Sequence, residues 1–171
     1  MISRLLGAAV AGALLVAGAP AGAVDEAVRG LQGLRRVGVD ITFSPAHPGV
    51  PVEDVQGRME EILRAALPQA PALDPRSVDR LRLTVAVRAL STSELRGFYL
   101  PFSGVYGVGV VRLAVERMVT LTGIVAPVRA VVWQAERATK AAWRGSADEI
   151  LGIAEDLTED FVEDYRRALG R

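Results

Sequence analysis

The stretch RLRLTVAVRAL, Arg80–Leu90, alternates apolar and polar side chains more cleanly than any other part of the chain. Leu81, Leu83, Val85 and Val87 fall on one side of an extended backbone, and Arg82, Thr84, Ala86 and Arg88 on the other. Successive side chains of a strand point to opposite faces, so this period of two predicts a half-buried strand with one wet face.

Working towards the amino terminus, PQAPALDPRSVD reads as a proline-punctuated connection in which Asp74, before Pro75, caps a single helical turn. Before it, Val55, Met59, Ile62, Leu63 and Ala66 recur at three- and four-residue spacing, which predicts an amphipathic helix from Val52 that Pro68 stops. The turn SPAHPGVP separates this helix from RRVGVDITF, where Val37, Val39, Ile41 and Phe43 mark a second half-buried strand. A short amphipathic segment, Asp25 to Leu34, precedes that strand.

Working the other way, STSELRGFYLPFSG is longer than a tight hairpin requires, and Ser91 and Glu94 have capping-box spacing. A strand follows whose parity switches: Tyr106, Val108 and Val110 share one face, whereas Val111, Leu113 and Val115 share the opposite one. A bulge near Gly109 reconciles the two halves. After a turn at Thr122 and Gly123 and a boundary at Pro127, VRAVVWQAERAT makes a strand with apolar residues on both faces. Ser146 and Glu149 then open a helix whose buried stripe is Ile150, Ile153, Ala154, Leu157, Phe161 and Tyr165.

The expected fold is α+β: a four-stranded, mostly antiparallel sheet with element order β-α-β-β-β-α and both helices packed on one face. Strands two to four form an antiparallel meander, and the first joins through a helical crossover.

Composition narrows the function classes. The chain has 171 residues, 50% of them hydrophobic and 23% charged, the balance of one domain with a core. Basic and acidic side chains number 20 each, so no net field draws the protein onto nucleic acid or an acidic membrane. Residues 1–23, MISRLLGAAVAGALLVAGAPAGA, have the charge at Arg4, the apolar run and the small residues Ala21 and Ala23 of a secretory signal peptide. Cleavage after Ala23 gives a periplasmic or secreted mature domain, 24–171, whose only membrane contact is the leader if it is retained. With no cysteine, that domain enters an oxidising compartment without disulfides, thiolate metal sites or a cysteine nucleophile.

Catalytic and cofactor motifs fail on spacing. His47, the only histidine, lies in a proline-rich loop near Ser44 and Asp40 without a nucleophile-elbow sequence. Gly104, Gly107 and Gly109 lead along a strand, so the helix amino terminus a phosphate cradle needs is missing. Glu53, Asp54, Glu60 and Glu61 follow the solvent side of a helix. No catalytic residue, metal or cofactor is expected. Two candidate sites remain. Leu95, Phe98, Tyr99, Phe102 and Tyr106 concentrate four of the chain's nine aromatic residues in or beside one connection, which either closes the end of the core or presents a surface to an envelope protein. In a second reading the protein is a carrier or enzyme for a small apolar or anionic ligand bound between sheet and helices, with Arg88 or Arg112 holding an anionic group.

The final VRAVVWQAERATKAAWRG strand leading into the SADEILGIAEDLTEDFVEDYRRAL helix, taken with the order of elements before it, resembles small bacterial envelope domains. These include the amino-terminal domain of TolB, the CsgG-type secretion proteins and the auxiliary lipoproteins of ABC transporters. The resemblance implies an envelope accessory role. The acylated cysteine of the latter two groups is absent here.

Overall fold

The computed structural model describes residues 28–44, 51–89, 106–123, 125–142 and 146–170. Its elements are β1 (Arg36–Ser44), α1 (Val52–Ala66), β2 (Ala72–Leu73), β3 (Arg80–Ala89), β4 (Tyr106–Val119), β5 (Val128–Ala142) and α2 (Ser146–Ala168). A helical turn over 28–30 precedes β1. The class is the expected α+β, but the sheet has five strands in the order β2-β1-β3-β4-β5. The unexpected strand is the two-residue β2, which pairs parallel to the start of β1, Arg36 opposite Ala72 and Val37 opposite Leu73. It is too short to show any period and lies between Pro71 and Pro75, which is why the sequence reads as a connection. The turn at 28–30 makes a third helical segment for the same reason of length.

β1 and β3 run parallel, and β3, β4 and β5 form the antiparallel meander. Ile41 lies opposite Leu83, Leu83 opposite Leu113, and Leu113 opposite Ala135, so one row of positions faces the helices across four strands. Leu81, Leu83, Val111, Leu113 and Val115 are buried there with Val55, Met59 and Leu63 of α1 and Ile150, Leu157 and Phe161 of α2. Both helices therefore cover the same face. At Asp74 the expected helical turn is a tighter device: its carboxylate accepts from the Arg76 backbone N–H at 2.9 Å, an Asx-type turn.

The bulge lies elsewhere than expected. β3 and β4 stay in continuous register from Gly107 to Glu116, and the shift falls between Val115 and Glu116, where Val115 faces Trp133 and Glu116 faces Val131. Val132 is the extra residue on β5. Val110 consequently sits on the open face, where it is exposed, and Gly109 takes a helix-side position. Glycine is needed there because a Cβ would lie 2.4 Å from the Ala86 carbonyl oxygen and 2.8 Å from the Val87 Cα.

The segment before β1 belongs to the core. Leu31 and Leu34 are buried, and the Tyr165 hydroxyl donates to the Leu34 carbonyl at 2.6 Å. From the sheet side Arg117 donates to the Gly30 and Gln32 carbonyls at 3.0 and 2.9 Å.

Two glycines give opposite predictions for one substitution. Gly109→Ala must displace backbone and is expected to lower unfolding free energy by about 1–3 kcal/mol. Gly57→Ala, in the exposed interior of α1 with nothing within 4 Å of its Cβ, is expected to raise it by about 0.5–1 kcal/mol. Urea denaturation of the two variants measures both signs.

Candidate functional site

The face of the sheet turned away from the helices is uncovered among the described residues. It is built from the alternate positions of the same strands: Asp40 and Thr42 of β1, Arg82, Thr84 and Ala86 of β3, Val110 and Arg112 of β4, and Gln134, Glu136 and Ala138 of β5. Arg88 occupies the same row of β3, opposite Val108. Both arginines proposed to hold an anion thus belong to the open face. Neither position lines the layer between sheet and helices, which is filled by the apolar side chains described above.

Arg112 is engaged. Its Nε and Nη2 both donate to Glu136 Oε2, at 3.1 and 3.0 Å, directly across the β4–β5 pair. Lower on the face a chain of charges alternates in sign. Asp40 meets Arg80 at 3.5 Å and Arg82 at 3.7 Å, Arg82 meets Glu116 at 3.1 Å, and Glu116 meets Arg129 at 3.4 Å. The cross-strand pairing of Arg82, Arg112, Glu116 and Glu136 is legible once the strands are aligned in order. Asp40 and Arg129 are not, because Asp40 joins through the parallel β1–β3 pairing and Arg129 through the bulge, and neither feature leaves a period in the sequence. Beyond the Arg112–Glu136 pair, towards Tyr106, Ala86, Val110 and Ala138 stand opposite one another as an uncharged row, and the next row places Val108 between Arg88 and Lys140.

The helix-side edge is also polar. Trp133 Nε1 donates to Asp164 Oδ2 at 2.9 Å, Arg137 pairs with Asp160, and the Thr139 hydroxyl donates to Glu149 at 2.7 Å. Of the acidic residues considered as ligands, Glu60 pairs with Arg64 and Glu61 with Arg58. Arg58, bonded most strongly to Glu155 and also to Glu61, holds its proton above the usual arginine range. His47, Leu95, Phe98, Tyr99 and Phe102 lie outside the described residues, as does the side chain of Tyr106. The backbone of Tyr106 opens β4 opposite Ala142, at the same end of the sheet as Ser44 and Ala89. Among the described residues no helix is long and apolar enough to cross a membrane.

No family model and no curated protein matches the chain. Among solved structures it is similar to a minor lipoprotein from Acinetobacter baumannii, at 13% identity and a TM-score of 0.34, over 80% of this chain and 95% of that one. A likeness of that size carries no argument about what this chain does.

The Arg112–Glu136 pair is half exposed on both sides, so water screens most of its attraction. A double-mutant cycle of Arg112→Ala and Glu136→Ala is expected to give a coupling of about 0.2–1 kcal/mol, shrinking as salt is added.

Proposed function

We propose that the chain is a non-enzymatic accessory module exported to the bacterial envelope, mature from Val24. In this reading it binds an envelope protein through the Leu95–Tyr106 stretch and the open sheet face beside it. One observation carries the reading. The open-face positions of β4 are uncharged along that strand from Tyr106 through Val108 to Val110, with Arg88 and Lys140 opposite Val108 and Ala86 and Ala138 opposite Val110, so an apolar strip one strand wide leads from the aromatic stretch onto an uncovered face. Flat, rigid, desolvatable positions beside aromatic anchors are what a protein interface uses at its centre. On the side of Val110 away from Tyr106, Arg112 pairs with Glu136 and Arg82 with Glu116, which gives that side of the strip a rim of satisfied charge.

The resemblance to envelope accessory domains and the signal-like residues 1–23 support that choice of compartment. The second reading, a carrier or enzyme for a small apolar or anionic ligand between sheet and helices, has less support, because Leu81, Leu83, Leu113, Leu157 and Phe161 already fill that layer without exposure.

The test uses two variants in different places. Val110→Lys alters the described face, and the combined replacement of Phe98, Tyr99 and Phe102 by Ser alters the aromatic stretch. A partner is isolated by cross-linking in envelope fractions, purified, and titrated against the wild-type and variant chains. Each variant is expected to weaken binding by roughly tenfold or more with its thermal midpoint retained. Unchanged affinity in both sinks the reading, and loss of the folded state in the triple variant alone assigns the aromatic stretch to the core.

A further inference from the structure

A second surface lies at the opposite end of the sheet from Tyr106, and its composition is different. The β4–β5 connection there, Val119–Val128 with sequence VTLTGIVAPV, contains no charged side chain. Val125 is fully exposed at its tip, and Leu121, Met118 and Val131 beside it are 47%, 42% and 53% exposed. Single exposed apolar residues are ordinary, but four gathered on one hairpin end are a patch that water penalises.

Arginines share this end. Register places Gly38, Arg80, Glu116 and Val131 side by side, so the starts of β1, β3 and β5 and the end of β4 lie together. Arg35, Arg36 and Arg76 are exposed around the start of β1, where the Ala72 N–H binds the Arg35 carbonyl and the Asp74 N–H binds the Val37 carbonyl. Arg29 is exposed on the segment that Arg117 holds against the hairpin. Among the described residues no ion pair engages Arg29, Arg35 or Arg76, whereas the arginines of the open face that are described are paired.

We infer that this end is a peripheral membrane-binding surface, in which the uncharged hairpin tip enters the headgroup region of an anionic phospholipid bilayer and the surrounding arginines contact lipid phosphates. Each observation speaks to that occupant. An apolar tip gains by leaving water, and unpaired guanidinium groups match phosphate in a fork geometry that no carboxylate nearby already satisfies. The surface is independent of the partner reading, which concerns the other end and the face of the sheet.

The experiment uses residues 24–171, which retain every described element, and vesicles of roughly three parts phosphatidylcholine to one part phosphatidylglycerol. Co-sedimentation is measured at about 0.1 M and about 0.5 M salt, with pure phosphatidylcholine vesicles alongside. Binding is expected on the anionic vesicles at low salt, to fall roughly tenfold at high salt, and to fall similarly in Val125→Asp and in the combined Arg35→Ala, Arg76→Ala variant. All of these changes are on exposed side chains, and circular dichroism checks that each variant folds. Absence of binding to anionic vesicles overturns the inference. So does binding that neither variant reduces, and so does a patch that Val125→Asp shows to drive only self-association of the protein in the ultracentrifuge.

Discussion

Three rings hold the two layers of this protein together. Trp133 of β5 meets Phe161 edge-on with centroids 5.4 Å apart, and Phe161 stacks on Tyr165 at 5.9 Å. Tyr165 then reaches the carbonyl of Leu34, so one continuous contact joins the sheet, the last helix and the segment that begins the fold. Without cysteine the chain has no covalent substitute for this contact. Deleting a buried aromatic side chain costs about 3–5 kcal/mol, against roughly 5–15 kcal/mol for the whole stability of a domain. The polar tips matter as well, since Asp164 receives the Trp133 indole N–H on one oxygen and Arg167 on the other. Burial therefore leaves neither ring with an unsatisfied donor, and the helix has one rotational setting against the sheet.

Covering one face so fully allows the other to remain bare. An antiparallel sheet tolerates water on one side when that side alternates to polar residues, and here the alternation supplies ion pairs across strands. Half-exposed pairs of this kind add little to stability. Their consequence is a stretch of surface already neutralised in place, with a narrow uncharged row beside it. β5, at the sheet edge, carries Arg129, Arg137 and Lys140 together with the Val132 bulge, all features that oppose casual pairing with another strand.

The parts legible in the sequence are those governed by a single long period. Leu81 to Val87 and the stripe from Ile150 to Tyr165 sit where alternation and helical spacing place them. Illegible parts are those where the period is broken or too short to exist. Val108 and Val110 look like core because they are apolar, yet their face is the open one, while the glycine beside them lies on the helix side because backbone from β3 approaches it. β5 reads as undecided between faces for a related reason: Val132 resets its parity, so Val131 is exposed and Trp133 is buried two residues later. Two-residue β2 has no period at all. The candidate arginines illustrate a further limit. Alternation assigns Arg88 and Arg112 to the face opposite Leu83, but only the strand order shows that Arg112 already has Glu136 as its neighbour.

Net charge is the property the sequence conveys most misleadingly. A sum of zero implies no field, but the topology distributes the charges along the strand axis. β1 and β5 both end at the Tyr106 end of the sheet, so the helices that follow them both run back towards the hairpin end, and Arg166 of α2 donates to the Ala66 carbonyl that ends α1. Parallel helices add their dipoles, positive at the shared amino-terminal end and negative at the other. Side chains that compensate them separate in the same way: Glu53, Asp54, Asp148 and Glu149 stand in the first turns, and Arg64, Arg166 and Arg167 in the last. Arg29, Arg35, Arg36 and Arg76 lie at that same carboxyl-terminal end through the sheet connections. Over distances near a Debye length of about 8 Å, an approaching surface responds to the nearest charges rather than to the total. A chain neutral in sum therefore still sets exposed arginines and an uncharged hairpin tip at one end of the fold, and the sum alone does not describe what that end presents.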